Sequence, residues 1–319
     1  MADSEIPNEY REEFLEAKSE IQVEHIEEDL EADRVISLYF VNHYLRTGDA
    51  APSPVGATHW WQPLLGQGSP LIDALVQQYW DHGPFSQIKK WVSQSIAKPS
   101  DSLNLVELGC GVGGLYQTLK PSLGSYLGVD SSFSSIALAR RINLGVPPGG
   151  SIRIPEDLLR GSTFREIPLQ RVSDQEPFGK ADFIVGDLDS PCLQTEAWDF
   201  TVALNTLDML DEPSSLPELQ RKLLKPQGRA IQSCPYVWHE VVAKKLRARL
   251  PNTIRESSAA AEWLYQQAGF QITEKVDHLP WLFFKQVRQL EVYSVHLFQA
   301  TKTDLMVSPL DLGLKNGSK

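Results

Sequence analysis

A glycine-rich turn is the feature of this sequence whose residue types point most clearly to chemistry. Gly109, Gly111 and Gly113 come directly after the apolar run 104–108, and an apolar, helix-like segment follows them. Glycine allows a sharp backbone turn and lets a ligand approach the backbone without meeting a Cβ. The turn therefore predicts a cofactor site where a buried strand passes into a helix.

The spacing of these glycines leaves two classes of cofactor to be weighed. Gly109, Gly111 and Gly114 satisfy the G-x-G-x-x-G pattern of nicotinamide and flavin sites. Glu107, however, stands directly before the turn, where its charge would repel a pyrophosphate. Asp130 ends the next apolar run, at a position where a carboxylate can hold both hydroxyls of a ribose in either class.

Four segments together resemble class I methyltransferases, which use S-adenosylmethionine. They are the turn after Glu107, the strand end at Asp130, the strand end at Asp187 and the run LeuLysProGlnGly at 224–228. The resemblance implies that Glu107 reaches the methionine end of the cofactor, that Asp130 holds the ribose and that Asp187 accepts from the adenine amino group. The cofactor-binding residues predicted in this way are Glu107, Gly109, Cys110, Gly111, Gly113, Asp130, Ser131, Asp187, Leu188 and Asn205.

Polar and aromatic residues follow two later apolar runs of the sequence. Because ligands of doubly wound sheets bind outside the carboxyl ends of the strands, these residues should line the pocket in which the methyl group is delivered. The predicted catalytic residues are Asn205, Asp208, Tyr236 and Trp238. The structural alternatives are a helix cap formed by Asn205 and Asp208 with Asp211, and a core position for Trp238.

The same residues carry a closer family resemblance. The runs LeuAsnThrLeuAsp at 204–208 and ProTyrValTrpHisGlu at 235–240 resemble the methyltransferase domain of ovothiol synthases, which methylates a ring nitrogen of mercaptohistidine. The spacing from Asn205 to Pro213 also resembles protein-histidine methyltransferases that modify His-x-His motifs. Both families methylate an imidazole nitrogen. Shorter agreements lie at 31–34, 43–44, 279–281, Lys285, Arg288 and Gln289.

Two departures from these families bear on the acceptor. No sulfoxide-synthase module precedes the motifs, so ovothiol chemistry would require a partner enzyme that supplies the acceptor. Val112 occupies the glycine turn where the protein-histidine family has an acidic residue. An imidazole-bearing small molecule and a peptide or protein histidine are therefore both kept as acceptors.

An imidazole acceptor demands little acid–base chemistry. The neutral ring, with a pKa of about 6.5, already has a lone pair at neutral pH, so catalysis is mainly in-line positioning of the nitrogen against the sulfonium methyl. Asn205 could fix the tautomer through the other ring nitrogen, and Asp208 could orient Asn205 or stabilise the imidazolium charge. Tyr236 and Trp238 offer aromatic faces to a cation. His296, midway along the last predicted strand, is interpreted as structural.

Short apolar runs alternate with helix-like segments around these residues. This alternation predicts an α/β fold with a Rossmann-like, doubly wound, seven-stranded sheet. The last two runs are close together and joined through 279–281, which favours an antiparallel last strand. The predicted strands lie at 104–108, 125–129, 181–186, 198–204, 228–234, 269–276 and 291–300.

Three regions are predicted along the chain. They are a helical cap at 1–100, with an acidic first helix and a second helical stretch at 70–97; a methyltransferase domain at 101–302, with an ordered insertion at 142–180; and a frayed tail at 303–319.

Composition and charge argue against several classes of function. Of the formal charge of -11, nearly all lies in residues 1–34, where thirteen acidic residues stand against three basic ones. The rest of the chain is nearly neutral and has no basic footprint for nucleic acid. The sequence has neither an apolar run of membrane-spanning length nor a secretion signal, and no tight acidic cluster suggests a metal. Cys110, Cys192 and Cys234 are far apart, which is typical of reduced thiols in the cytoplasm.

These features together predict a cytoplasmic, S-adenosylmethionine-dependent N-methyltransferase that acts on an imidazole nitrogen of a histidine-derived small molecule. The first alternative is the same reaction on a histidine of a peptide or protein. The second is a scaffold protein that binds the cofactor without turnover.

Overall fold

The computed structural model describes residues 70–96, 103–145, 151–157, 163–168, 180–189, 191–286 and 289–303. The predicted acidic helix, the predicted tail beyond Thr303 and Arg288 lie outside the described residues, as does the side chain of Lys285. No helix within the described ranges is both long enough and apolar enough to cross a membrane.

A mixed sheet of seven strands forms the centre of the molecule, in the order β5-β2-β1-β6-β7-β9-β8. The first five of these strands in that order run parallel, and β9 runs antiparallel to both of its neighbours. The predicted doubly wound sheet with an antiparallel last strand is confirmed. Its strands are β1 (Leu103–Leu108), β2 (Leu123–Asp130), β5 (Lys180–Val185), β6 (Trp198–Leu204), β7 (Leu224–Cys234), β8 (Phe270–Gln286) and β9 (Gln289–Lys302).

Helices cover both faces of the sheet, and each face has its own core. Leu105 and Val106 are fully buried in different cores because successive side chains of a strand point to opposite faces. One face packs against α1 (Pro70–His82), α2 (Pro84–Gln94), α3 (Gly114–Leu119) and α4 (Phe133–Leu144), and the other against α5 (Ser215–Leu223) and α7 (Ser257–Gln267). Helix α6 (Glu240–Arg249) packs beside α7 through Leu246.

The predicted helical stretch 70–97 is two helices rather than one. The chain turns at Gly83, where a Cβ would collide with the carbonyl oxygen of Tyr79, and Pro84 begins the next helix. Tyr79 and Phe85 pack against Trp281 of β8, with ring centroids 6.1 Å and 5.5 Å apart. The described part of the N-terminal region therefore packs on the last hairpin of the sheet.

Strand β8 continues well past its predicted end at residue 276. The predicted connection through Pro280 is part of the strand, where Pro280 pairs with Ser294 of β9. Proline is tolerated here because β8 is an edge strand, which has a paired neighbour on one side only. The hairpin consequently extends beyond the carboxyl edge of the parallel strands.

A separate two-stranded antiparallel sheet lies within the predicted insertion. Its strands are β3 (Ser151–Asp157) and β4 (Thr163–Pro168). Helix α4 ends before it, at Leu144, and Gly145 takes the left-handed conformation that commonly closes a helix.

Candidate active site

Two groups of residues lie at the carboxyl edge of the parallel strands. The group after β1, β2 and β5 is called the cofactor half, and the group after β6 and β7 is called the acceptor half. The chain leaves β1 for β2 on one side and returns to β6 on the other, so the site lies where the strand order reverses.

Backbone hydrogen bonds hold the glycine turn of the cofactor half against β2. The N–H groups of Gly109 and Cys110 both donate to the carbonyl of Val129, at 2.8 Å and 3.0 Å. The N–H of Gly111 donates to Asp130 Oδ2 at 2.8 Å. The turn is thereby fixed to the end of the neighbouring strand before α3 begins.

Two glycines of the turn both have a positive φ but differ in the space around them. Gly113 has φ +78°, and a Cβ on it would collide with Phe183 and lie 2.8 Å from Asn143 Nδ2. Gly111 has φ +52°, yet a Cβ on it would meet no atom within 4 Å. Packing therefore dictates Gly113, whereas the space beside Gly111 is open and could receive a ligand.

Asp130 organises the second strand end. Its Oδ2 accepts from Gly111 and its Oδ1 accepts from the N–H of Ser132 at 2.9 Å. Its carbonyl accepts from Gly186, which follows β5. Each carboxylate oxygen has a further lone pair, so Asp130 can shape the turn and still accept from ribose hydroxyls. Ser131, between these contacts, is exposed.

Glu107 is buried, and its Oε2 accepts a short hydrogen bond from the hydroxyl of Tyr126. Burial raises the pKa of this carboxyl to about 8, with the charge of Asp130 adding to the effect and the Tyr126 hydrogen bond opposing it. A cationic ligand group beside Glu107 would restore its charge. Tyr126 was not predicted as a site residue, although it lies two residues before Gly128, the partner of Glu107 in the ladder.

The remaining predicted cofactor residues differ in exposure. Cys110 is buried, and burial together with the charges of Glu107 and Asp130 raises the pKa of its thiol well above the usual range. It therefore contributes backbone groups rather than a thiolate. Asp187 is exposed after β5 and accepts from the N–H of Asp189 at 2.9 Å, while Leu188 packs against the core of the α5 and α7 face.

The donor set of the cofactor half fits S-adenosylmethionine. Three neighbouring strands present Glu107, Asp130 and Asp187 in a row at one edge of the sheet. Carboxylates suit the amino group, the ribose hydroxyls and the adenine amine of this cofactor, and the open space beside Gly111 admits it. Within the described ranges, no group of three or more His, Cys, Asp or Glu side chains is arranged to hold a metal ion.

Asn205 opens the acceptor half in the left-handed conformation, with φ +54°. Its N–H donates to the carbonyl of Ser233 at 2.8 Å, and its Oδ1 accepts from the Ser233 hydroxyl at 3.0 Å. Asparagine adopts this conformation more readily than most residues. Ser233, which no motif indicated, therefore fixes the amide.

Asp208 lies in a 3-10 turn at Leu207–Met209 and contacts the loop after β7 rather than Asn205. Its Oδ2 accepts from the N–H of Val237 at 2.7 Å, and burial raises the pKa of the carboxyl. The alternative of a helix cap is not seen, since Ser214 is the N-cap of α5.

Tyr236 and Trp238 stack after β7, with ring centroids 5.7 Å apart and an angle of 24° between the planes. Tyr236 has φ +60°, and its hydroxyl lies 2.7 Å from Nδ1 of the buried His296. Trp238 donates from Nε1 to the hydroxyl of Ser257 at 3.1 Å. Both rings are half-buried and also pack against the core, so the core alternative for Trp238 holds in part.

Comparison with solved structures returns several methyltransferases at low identity. A Haloferax volcanii methyltransferase in complex with the activator Trm112 is 15% identical, covering 72% of this chain and 93% of that chain, with a TM-score of 0.44. Magnesium protoporphyrin IX methyltransferase from Synechocystis is 17% identical, covering 76% and 92%, with a TM-score of 0.45. A Thermotoga maritima methyltransferase described as a possible histamine N-methyltransferase is 16% identical, covering 73% and 97%, with a TM-score of 0.39. These scores are too low to carry an argument about function.

The comparison with family models identifies the family of this chain. No curated protein matches the chain significantly. A family model described as a methyltransferase domain, however, matches residues 79–275, which include every strand of the parallel part of the sheet and both halves of the site. The chain therefore belongs to the methyltransferase domain family and is an S-adenosylmethionine-dependent methyltransferase.

Proposed function

We propose that this methyltransferase transfers the methyl group to a ring nitrogen of an imidazole in a histidine-derived small molecule, such as mercaptohistidine. The observation that carries the proposal is the Asn205 amide, fixed by Ser233 after β6, together with the stacked pair Tyr236 and Trp238 after the neighbouring strand β7. An imidazole offers one nitrogen as nucleophile and a second for recognition, and this pairing of amide and aromatic faces suits both.

The amide of Asn205 has hydrogen-bonding capacity left for a ligand. Among the described contacts, the Ser233 hydroxyl occupies one lone pair of Oδ1. The second lone pair can accept the N–H of a neutral imidazole and so present the other nitrogen, with its lone pair, for methylation.

Asp208, the predicted catalytic carboxylate, is bound to the protein backbone. Asp208 holds the N–H of Val237, and burial raises its pKa. An acceptor that needed deprotonation before attack would require a base with freedom to act. A neutral imidazole has its lone pair at neutral pH, so it needs positioning but no deprotonation before attack.

The cofactor supplies an electrophilic methyl group on a sulfonium. The residues of the cofactor half would hold it: Asp130 through the ribose, Asp187 through the adenine amine and Glu107 near the amino group. Ser131, Leu188 and the backbone of Gly109, Cys110, Gly111 and Gly113 would line the same cleft. Asn205, at the junction of the halves, would bind the acceptor through its side chain and lie beside the cofactor without a side-chain hydrogen bond to it.

Incubation of the full chain with S-adenosylmethionine and a panel of acceptors tests the proposal. The panel contains mercaptohistidine, histidine, carnosine and a His-x-His peptide, and mass spectrometry detects the gain of one methyl group. Methylation of a small imidazole is expected. Transfer to the peptide alone would favour the protein-histidine alternative, and cofactor binding with no transfer would favour the scaffold alternative.

Asn205→Ala is the matched variant for this assay. We expect kcat to fall about tenfold, since one hydrogen bond to the acceptor is lost, while the affinity for S-adenosylhomocysteine stays within about twofold of wild type. Unchanged kcat on the preferred acceptor would remove Asn205 from the proposed recognition.

A further inference from the structure

Behind Tyr236 lies a chain of polar side chains that the reaction described so far does not use. It consists of Tyr236, His296, Glu262 and Lys275, and is called the relay. The Tyr236 hydroxyl lies 2.7 Å from His296 Nδ1, His296 Nε2 lies 3.4 Å from Glu262 Oε1, and Lys275 Nζ lies 2.8 Å from the same oxygen. The relay leads from the acceptor half to solvent on the α7 face.

The partners of His296 assign its tautomer. The Glu262 carboxylate, which is 2.8 Å from Lys275 Nζ and 3.4 Å from His296 Nε2, is an acceptor and has no proton to donate to Nε2. The proton of a neutral His296 therefore belongs on Nε2, and Nδ1 accepts from the Tyr236 hydroxyl. This leaves the lone pairs of the Tyr236 oxygen as acceptors.

We propose that Tyr236 takes the proton that the acceptor must lose once it is methylated, and that His296 takes the hydroxyl proton of Tyr236 in the same step. The proposal rests on the proposed function for the identity of the proton donor, an imidazole N–H. Tyr236 is then a catalytic residue, and His296 and Glu262 are positioning residues that act through it.

The step balances in atoms and charge. The nitrogen–carbon bond forms as the sulfur–carbon bond breaks. The cationic ring that results then gives up its one N–H proton, which Asn205 Oδ1 accepts as a hydrogen bond during the attack, to the Tyr236 oxygen. The Tyr236 proton moves to Nδ1, so Tyr236 stays neutral and the positive charge passes to His296, beside the carboxylate of Glu262. His296 returns its proton to solvent before the next turnover.

The surroundings of His296 keep its ring neutral before the transfer. His296 is 2% exposed, and this burial lowers its pKa. Asp277 and Glu262 oppose the effect, while Lys275 and His278 add to it. Burial also raises the pKa of the Tyr236 hydroxyl, which keeps this hydroxyl protonated unless its proton leaves together with the transfer. The relay thus favours the coupled movement of two protons over the formation of a free tyrosinate.

Positioning alone is the competing explanation, because the His296 contact also fixes the Tyr236 side chain. His296→Asn separates the two roles. The Oδ1 of asparagine can occupy roughly the place of Nδ1 and accept from the Tyr236 hydroxyl, but it cannot take up a proton. His278→Asn is the matched control, since His278 is an exposed histidine with φ +59°, a conformation that asparagine tolerates.

The experiment measures kcat and KM against pH on the acceptor found above, with wild type, His296→Asn, Tyr236→Phe, Glu262→Gln and His278→Asn. We expect wild-type kcat to fall on the acid side, below the usual histidine pKa of about 6.5, as His296 becomes protonated. His296→Asn and Tyr236→Phe should lose about 100-fold in kcat together with this acid limb, with the KM for the cofactor unchanged. His278→Asn should keep the wild-type kcat and an acid limb, with the limb moved slightly to higher pH because His278 no longer helps to lower the pKa of His296.

Nitrogen NMR of the His296 ring gives a readout that needs no acceptor. A proton on Nε2 and a bare Nδ1 near neutral pH are expected, and a proton on Nδ1 would overturn the relay. Wild-type rates and pH profile in folded His296→Asn would also overturn it. If wild type methylates no imidazole, the proposed function fails separately, and the NMR result still decides the direction of the relay.

Discussion

The cofactor half and the acceptor half meet at one edge of one sheet but are built differently. In the cofactor half, backbone N–H groups of the glycine turn bind Val129 and Asp130 of the adjacent strand. In the acceptor half, side chains bind one another or a distant loop: Asn205 with Ser233, and Tyr236 with His296, which is 60 residues away. The first half depends on backbone conformation and the second on which side chains the fold brings together.

This difference has a consequence for specificity. A site made from backbone and a few carboxylates suits a ligand that is common to a whole family. A site made from side chains on β6, β7, α7 and β9 can become specific for a different acceptor by substitution of those side chains, without disturbing the sheet. We therefore expect substitutions in the cofactor half to affect cofactor binding and stability, and those in the acceptor half to affect turnover.

Glu107→Gln is expected to have the largest effect, on the pH dependence of stability. The pKa of Glu107 is about 8 in the folded protein, above its usual 4.5, so folding retains a proton that the unfolded chain releases between these values. The free energy of unfolding should therefore fall as pH rises through this window, by up to about 5 kcal/mol from this group. Glutamine does not ionise, so the free energy of unfolding of Glu107→Gln should lack this pH dependence.

Urea unfolding of wild type and Glu107→Gln from about pH 5 to about pH 9 checks this expectation. The advantage of the variant should grow with pH and level off above about pH 8. A constant difference across the range would show that Glu107 titrates normally. Added S-adenosylmethionine should narrow the difference, because its amino group would stabilise ionised Glu107.

Asp130→Ala should have the next largest effect, on cofactor affinity. The variant removes the acceptor for Gly111 and Ser132 as well as the carboxylate for the ribose. Calorimetry with S-adenosylhomocysteine should show binding about 100-fold weaker, which corresponds to about 2.7 kcal/mol. Asp130→Asn keeps one acceptor oxygen, so its affinity for S-adenosylhomocysteine should lie between those of wild type and Asp130→Ala. Wild-type affinity in Asp130→Ala would break the distinction between the halves.

Asp208→Asn should have the smallest effect and so tests the distinction from the other side. Its remaining oxygen can still accept from Val237, so the free energy of unfolding should fall by less than about 1 kcal/mol. Asp208→Ala loses that acceptor and should cost about 1–2 kcal/mol. Both variants should bind S-adenosylhomocysteine as wild type does. A loss of cofactor affinity in Asp208→Asn would mean that the halves are coupled.

The sequence was sufficient to predict the sheet because each strand was a short apolar run and the glycine turn marked the first crossover. It was less informative where a local rule was overridden. Pro280 and a long edge strand hid the extent of β8, since proline usually ends a strand but is tolerated at an edge. Gly83 was concealed inside a helical pattern, although Pro84 after it was a signal that the helix breaks there.

The sequence by itself determined the order of the elements and the cofactor motifs, because a strand, a glycine turn and a carboxylate are local features with local causes. Only the tertiary structure decided three side-chain contacts of the site. They are the hydrogen bonds from Tyr126 to Glu107, from Ser233 to Asn205 and between Tyr236 and His296. Those contacts depend on strand order and register, which place residues from distant parts of the chain side by side. The physical reason is that the alternation of side chains along a strand fixes the face of the sheet on which each side chain lies. Which residue lies next to that side chain depends on which strand pairs with its own and in what register.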